Sequence, residues 1–167
     1  MCINIIDKSN KWQIENNGYL NGQAVFSDQN IIYNSDSIYV KGYTQKVDLM
    51  TGEILWKTKT NPELHYNPVI KSDLIFVPSY DNGIICLNSE TGVPQWKLNK
   101  EFYPDTNLIV YNNILYFGTT SREFIGLNFE GKVVFKSKFF YGIGNPFIYK
   151  NKLYVADGKN RLFKKTN

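Results

Sequence analysis

Histidine and cysteine are scarce in this sequence, whose 167 residues contain one histidine, His65, and two cysteines, Cys2 and Cys86. A zinc site needs several such ligands at short spacings, and nucleophilic catalysis needs a base beside a serine or cysteine. Neither pattern surrounds His65 in the segment NPELHYNP. We therefore expect no metal, no cofactor and no enzymatic activity, and we expect both thiols to be reduced.

Long hydrophobic runs are also missing. No stretch reaches the roughly 18 apolar residues that a membrane-spanning helix requires. The opening residues MCINIIDKSNKW lack the basic and apolar regions of a secretory signal. These features predict a cytoplasmic protein, and the length suits a single domain over residues 1–167.

What the sequence does contain is a repeat rich in strand-forming residues. One set of ten-residue segments recurs at a nearly constant interval, at positions 31–40, 68–77, 108–117 and 146–155. Each segment has two apolar stretches around Asn, Asp, Ser or Lys, a composition typical of a β-hairpin between two strands, A and B.

A second set follows the first along the chain, at positions 46–56, 86–96 and 126–135, with a shorter copy at 5–12. Each copy predicts a strand C, a polar turn and a strand D that ends on an aromatic residue. The turn carries Gly52, Gly92 or Gly131, and glycine adopts positive φ there without steric cost. The terminal aromatic residues are Trp12, Trp56, Trp96 and Phe135.

Four hairpins and four C–D units predict an all-β fold, a four-bladed β-propeller with four antiparallel strands per blade. The chain opens with a C–D unit and closes with an A–B hairpin. We therefore expect the N-terminal strands to complete the sheet begun at 146–155, so that the two ends of the chain close the ring.

The segments VDLMTGEILWKTKT and CLNSETGVPQWKLN resemble the strand C to strand D signature of the quinoprotein-type (PQQ-like) propeller repeat. The resemblance implies that Trp12, Trp56, Trp96 and Phe135 dock between neighbouring blades. Dehydrogenases with this repeat are longer, and this chain lacks their adjacent cysteine pair and their Asp and Asn cluster. Non-catalytic relatives use the propeller as a protein-binding surface, and this mode of action is what the resemblance implies here.

The connections from strand D to the next strand A are the candidate binding region. Three of them, at 56–68, 96–108 and 135–146, are nearly equal in length, whereas the first, at 12–31, is markedly longer and predicts a longer loop. Together the connections predict one aromatic, partly acidic rim that binds a protein. Its predicted residues are Tyr19, Leu20, Phe26, Glu63, His65, Tyr66, Glu101, Phe102, Tyr103, Asp105, Phe139, Phe140 and Tyr141.

Several functions fit such a module. Our first interpretation is an immunity or antitoxin protein that neutralises a cognate bacterial toxin, for which a nuclease is one candidate; contact-dependent inhibition immunity proteins are similar in size and solitary architecture. A second is a nucleic-acid-binding propeller, since residues 130–167 carry nine Lys or Arg against Glu130 and Asp157. A third is a sugar- or small-molecule-binding enzyme, which would place polar residues at the start of each strand A, whereas this sequence has Ile31, Pro68, Leu108 and Pro146 there. A fourth is a scaffold whose two copies form an eight-bladed ring, so monomer and homodimer both stay open.

Overall fold

The chain folds almost entirely into antiparallel β-strands. The structure, a computed structural model, describes residues 2–3, 10–14, 24–36, 42–62, 66–98 and 100–164. The strands, in chain order, are β1 (Cys2–Ile3), β2 (Asn10–Trp12), β3 (Val25–Ser27), β4 (Asn30–Asp36), β5 (Gly42–Asp48), β6 (Ile54–Lys59), β7 (Val69–Lys71), β8 (Leu74–Ser79), β9 (Gly83–Asn88), β10 (Pro94–Lys97), β11 (Ile109–Tyr111), β12 (Ile114–Gly118), β13 (Glu123–Leu127), β14 (Val133–Lys138), β15 (Phe147–Tyr149), β16 (Lys152–Ala156) and β17 (Leu162–Lys164).

Helical structure is limited, among the described residues, to a short 3-10 turn at Lys100–Phe102. None of the helical structure in this part of the chain is long and apolar enough to cross a membrane.

Each sheet is made of strands in sequence order, with neighbouring strands antiparallel. Strands β3–β6 form blade 1, β7–β10 form blade 2 and β11–β14 form blade 3, each with strands A to D. Strands β15–β17 form a three-stranded blade 4, and β1 pairs with β2 in an N-terminal unit. The A strands of neighbouring blades contact one another, β3 with β7 and β7 with β11. This is the radial arrangement of sheets that the repeat predicts, and the all-β propeller fold is confirmed.

The first hairpin lies earlier in the chain than predicted. Val25–Ser27 pairs with the start of Asn30–Asp36 around a turn at Asp28, whose φ is 52°. The prediction of a hairpin at 31–40 is therefore wrong, because the polar run that looked like its turn is the end of strand β4. Asn34 tolerates this position because its Oδ1 accepts a 2.9 Å hydrogen bond from the Thr44 hydroxyl of β5.

This shift removes the predicted long loop after Trp12. Strand A of blade 1 begins at Val25, so the connection that precedes it, at 12–24, is as long as those at 56–68 and 96–108. The real insertion lies between strands B and C. In blade 1 the B–C hairpin runs from Asn30 to its partner Asp48. The equivalent hairpin in blade 2 is shorter and runs from Leu74 to its partner Asn88. The tip of that longer hairpin, at 37–41, is outside the described residues.

The end of the chain also differs from the prediction. Blade 4 takes its strand C from the C-terminal residues, with Val155 opposite Phe163, so the position expected for the N-terminal strand is filled by β17. Strands β1 and β2 pair with each other, Cys2 opposite Trp12. Among the described residues no strand pairing joins this N-terminal unit to blade 4.

Three hydrophobic clusters hold successive blades together. Between blades 1 and 2 the buried members are Ile32, Trp56, Ile75, Val77, Ile85 and Leu87. Between blades 2 and 3 they are Phe76, Ile84, Cys86, Leu108, Leu115, Phe117, Ile125 and Leu127. Between blades 3 and 4 they are Tyr111, Tyr116, Phe124, Leu153 and Val155. The core is thus distributed between the faces of adjacent sheets, as burial of two apolar faces per sheet requires.

The recurring tryptophans dock on the next unit, as the repeat resemblance implies. The Nε1 of Trp12 donates to the carbonyl of Leu49 at 2.9 Å, that of Trp56 to Ser89 at 3.1 Å, and that of Trp96 to Phe129 at 2.7 Å. Each acceptor lies in the C–D turn of the following blade. Phe135, whose ring carries no N–H group, packs against the cluster between blades 3 and 4.

Blade 1 has a polar interior where blade 2 is apolar. By strand pairing, Lys46 and Thr44 take the positions of Cys86 and Ile84. The Nζ of Lys46 lies 3.1 Å from a carboxylate oxygen of Glu90 in blade 2, and the two side chains are 5% and 75% exposed. A buried ammonium is thereby neutralised from the neighbouring blade.

Candidate functional site

The D-to-A connections and the B–C turns meet at one end of the propeller. Three isolated bridges join them: Pro62 with Ser79, Pro104 with Thr119, and Ile143 with Asp157. We call the surface formed by the described parts of these connections and turns the rim. The C–D turns, with their glycines, lie at the opposite ends of the strands.

The predicted binding residues divide into three groups. Tyr19, Leu20, Glu63 and His65 lie outside the described residues. Phe26 is in strand β3 with its side chain 67% exposed, so its predicted place in a loop is wrong because the hairpin begins at Val25 rather than at Ile31. The remaining predicted residues lie on the rim connections: Tyr66, Glu101, Phe102, Tyr103, Asp105, Phe139, Phe140 and Tyr141.

One half of the rim is aromatic and acidic. The ring of Tyr80, in the B–C turn of blade 2, meets Tyr103 edge-on with 6.0 Å between centroids, and Tyr80 is 66% exposed. The hydroxyl of Tyr66 lies 3.4 Å from Oδ1 of Asp105. Asp81 follows Tyr80 and accepts a hydrogen bond from the Asn61 amide. We call Tyr66, Tyr80, Asp81, Tyr103 and Asp105 the acidic patch.

The other half of the rim is aromatic and basic. Phe140 is 77% exposed and packs against Tyr141 with 4.9 Å between ring centroids. The Nζ of Lys159 stands 4.7 Å from the Tyr141 ring centroid, and the Arg161 guanidinium stands 5.7 Å from it. The guanidinium of Arg122 donates to the Phe140 carbonyl at 3.1 Å. We call these five residues the basic patch, in which cations are held beside exposed aromatic rings.

Arg161 is oriented by Asp157 in the B–C turn of blade 4. Its Nε and Nη2 donate to Oδ2 of Asp157 at 2.8 and 2.6 Å, while Oδ1 accepts backbone hydrogen bonds from Lys159 and Arg161. The Arg161 side-chain hydrogen bond is the largest of the influences that hold the pKa of Asp157 below its ordinary value. The turn is therefore braced in the conformation that presents Lys159 and Arg161.

Two predicted rim residues serve mainly in packing. Phe102 packs against the cluster between blades 2 and 3, and Phe139 against the cluster between blades 3 and 4. The Phe139 ring also meets Phe163 edge-on with centroids 5.1 Å apart. The more exposed aromatic side chains are those of Phe140 and Tyr80, and Tyr80 is a rim residue that the spacing argument missed because it lies in a B–C turn rather than a D-to-A connection.

In the described part of the chain, no group of three or more His, Cys, Asp or Glu residues could hold a metal ion. Cys86 is free and buried between blades 2 and 3, away from the rim. Burial, with a smaller effect of Asp73, raises the pKa of its thiol to about 12. What the rim offers chemically is a pair of aromatic surfaces of opposite charge.

Solved structures with the same fold include both natural and designed proteins. BamB from Moraxella catarrhalis matches with a TM-score of 0.72 at 19% identity, over 86% of this chain and 42% of that chain. The computationally designed Ika4 protein matches at 0.68 and 13% identity, over 92% and 98%. A europium-containing methanol dehydrogenase matches at 0.55 and 14% identity, over 72% and 26%. At these identities the likeness concerns the fold alone.

Among proteins of curated function, none matches this sequence. The chain spans less than half the length of the BamB protein that it resembles. The sequence profile of the family described as outer membrane protein assembly factor BamB matches residues 7–110, well over half of the chain, and the chain therefore belongs to this family of PQQ-like β-propeller proteins.

Proposed function

We propose that this chain is a non-enzymatic protein-binding propeller that acts in the cytoplasm and holds its partner on the rim. The family to which it belongs is described as an assembly factor, which is a role of protein association rather than of catalysis. The likeness to a methanol dehydrogenase concerns the shared fold, and function depends on sites rather than on folds.

The single observation that carries the proposal is the exposure of aromatic side chains at the rim beside charges of both signs. Phe140 and Tyr80 are 77% and 66% exposed, and each packs against a second aromatic ring. Aromatic residues dominate the energy of protein interfaces because they bury a large area at a small loss of conformational entropy. Two such pairs on one surface suit a partner protein.

More specifically, we propose that the chain is an immunity protein, that is, an antitoxin that binds and occludes a cognate bacterial toxin domain. Inhibition by occlusion requires only a rigid surface with large contact residues and complementary charge. The acidic patch and the basic patch offer both signs on one rim, which favours one orientation of the partner over others. A nuclease, whose substrate channel is basic, would meet the acidic patch around Asp81 and Asp105.

Quantitative affinity capture from the source organism tests the proposal. Wild-type chain is compared with Phe140→Ala, with Tyr80→Ala and with Met50→Ala, a matched control that is 74% exposed but lies in a C–D turn at the other end. We expect one partner to be enriched by wild type and Met50→Ala and to be depleted at least tenfold by either rim variant. Equal recovery of the partner by all four chains would show that the rim does not bind it.

The identity of the partner is tested separately. The captured protein is purified, expressed in cells without the propeller, and scored for growth inhibition that co-expression relieves. Relief by wild type but not by the two rim variants supports the antitoxin role. A partner without toxicity leaves the scaffold function standing and overturns the antitoxin form.

A second candidate, single-stranded nucleic acid, is favoured by one observation, the cations of Lys159 and Arg161 over the Tyr141 ring. Binding would then weaken steeply as salt rises. Fluorescence anisotropy with labelled oligonucleotides at low salt decides it, and absence of binding there excludes this function.

A further inference from the structure

Each of the first three blades packs one face, its leading face, against the trailing face of the blade that follows. Among the described strands none follows blade 4, and its leading face is exposed. Tyr149 is 58% exposed, whereas Tyr111, which holds the same position in blade 3, is 8% exposed. Leu162 is 58% exposed, whereas its equivalent Phe124 is 3% exposed. Blade 4 thus has a face of the kind that the other blades bury against one another, and the described residues leave this face uncovered.

Blade 1 presents the complementary half of such an interface. The outer part of its trailing face is covered, since Trp12 docks on the turn at Leu49 and Val47 is fully buried. The inner part, on strand A, is open, and Phe26 there is 67% exposed. The described part of the N-terminal unit supplies strands that correspond to C and D, so the missing cover corresponds to an A–B hairpin.

The internal interfaces show which residues would meet. Val25 of blade 1 and Ile70 of blade 2 belong to one cluster, and Val69 of blade 2 and Val110 of blade 3 belong to the next. By strand pairing, Phe147 of blade 4 corresponds to Val25 and Val69, and Phe26 corresponds to Ile70 and Val110. Phe147 is 44% exposed. If blade 4 packed against blade 1 as the other blades pack against each other, Phe147 would contact Phe26.

We propose that a second copy of this chain covers these faces, with hairpin β15–β16 of each copy packed against strand β3 of the other. Phe26 and Phe147 are both exposed in the same structure, so the described residues of one chain do not cover these faces. The contact is head-to-tail, and using it twice closes a ring of two copies in which both faces are covered.

Light scattering of the purified chain gives the first test. We expect a mass of twice 19.4 kDa, and we expect Phe26→Lys and Phe147→Lys each to give 19.4 kDa with an unchanged far-ultraviolet circular dichroism spectrum. Met50→Lys, on an exposed apolar residue outside both faces, is the matched control and stays at twice the mass. Because each variant keeps one sound face, mixing Phe26→Lys with Phe147→Lys restores a species of twice the mass. A wild-type chain that stays at the monomer mass over a hundredfold range of concentration overturns the proposal.

A disulfide trap separates two copies from closure within one chain. In a Cys2→Ser background, Phe26→Cys and Phe147→Cys are combined and oxidised, and the product is run on a non-reducing gel. We expect a covalent dimer, which the corresponding single-cysteine variants do not form. A cross-link at monomer mass, or no cross-link, overturns the proposal. Neither result bears on the rim, because partner capture through Phe140 is measured independently of mass.

Discussion

The indole ring of Trp56 lies against Gly92 of the next blade, so closely that a Cβ added at Gly92 would come 2.6 Å from Cδ2 of the ring. The backbone at Gly92 has a φ of 70°, which a side chain disfavours. Gly52 against Trp12 and Gly131 against Trp96 repeat the relationship. The Thr-Gly turn and the tryptophan are thus two halves of one contact between blades.

Substitution Gly92→Ala is expected to destabilise the fold. The left-handed backbone alone costs about 1 to 2 kcal/mol with a Cβ, and displacement of Trp56 adds to that cost. The free energy of unfolding in urea measures the loss. Gly142→Ala is the control, because no atom lies within 4 Å of a Cβ built there, and its stability should be unchanged or slightly higher. Equal stability of the two variants would contradict the packing role of Gly92.

We expect the removal of Glu90 and the removal of Lys46 to lower the free energy of unfolding by different amounts. Glu90→Ala removes the carboxylate from a buried ammonium, and because Glu90 is 75% exposed we expect a loss of about 1 to 3 kcal/mol, below the value for a fully buried pair. Lys46→Met replaces the ammonium with an apolar group of similar length and should cost less. The double variant should be more stable than Glu90→Ala alone. Additive losses in chemical denaturation would show that the two side chains do not interact.

The Cys86 thiol is expected to be unreactive in the folded chain. Its pKa is raised to about 12, so almost no thiolate exists at pH 8 and the sulfur is also buried. In a Cys2→Ser background, we expect no reaction with a disulfide reagent at pH 8 until denaturant is added. Since the unfolded thiol ionises near its ordinary value of 9.0, this group's contribution to stability is present below that pH and is lost as pH rises from 9.0 towards 12. Rapid labelling of the native variant would contradict the burial.

We expect acid to lower the stability of the fold through Asp157, which holds Arg161 of the basic patch. Its pKa is lowered, chiefly by the Arg161 hydrogen bond, so its contribution to stability is present above the ordinary value of 3.8 and is lost as pH falls through the folded value. Thermal melts of wild type and Asp157→Asn should therefore differ at neutral pH and converge below about pH 3.8. A constant difference across that range would show that ionisation of Asp157 does not contribute.

The repeat itself was accessible from the sequence because its turn chemistry is local. Gly52, Gly92 and Gly131 all take positive φ, and the hairpins within 68–77, 108–117 and 146–155 form where the pattern predicts. The first hairpin was predicted too late in the chain because its real turn, at Asp28 and Gln29, is only one of two polar runs in this segment. Two polar runs competed for the turn, and composition favours either of them.

Tertiary contacts decide which of the two polar runs forms the turn. Asn34 and Ser35 are 5% exposed, and they are tolerated in a strand because Thr44 and Gln45 of the neighbouring strand donate hydrogen bonds to them. No sequence period reports such a cross-strand bond. The constant spacing from the docking tryptophan to strand A would have placed the hairpin correctly.

The rim was partly predictable for the same reason. Connection residues such as Phe140 stand out by their distance from the repeat, whereas Tyr80 falls inside a regular B–C turn and becomes a rim residue only because that turn bridges to the preceding connection. The charge of the basic patch is visible in the sequence, but its pairing with Tyr141 depends on how two separate turns approach each other.

Hydrogen–deuterium exchange of the chain with and without its captured partner tests the central claim most directly. We predict protection of the rim at residues 66–67, 79–83, 101–107, 139–145 and 157–161, with the C–D turns at 49–53, 89–93 and 129–132 unchanged. Protection of the C–D turns with an unprotected rim would contradict the account.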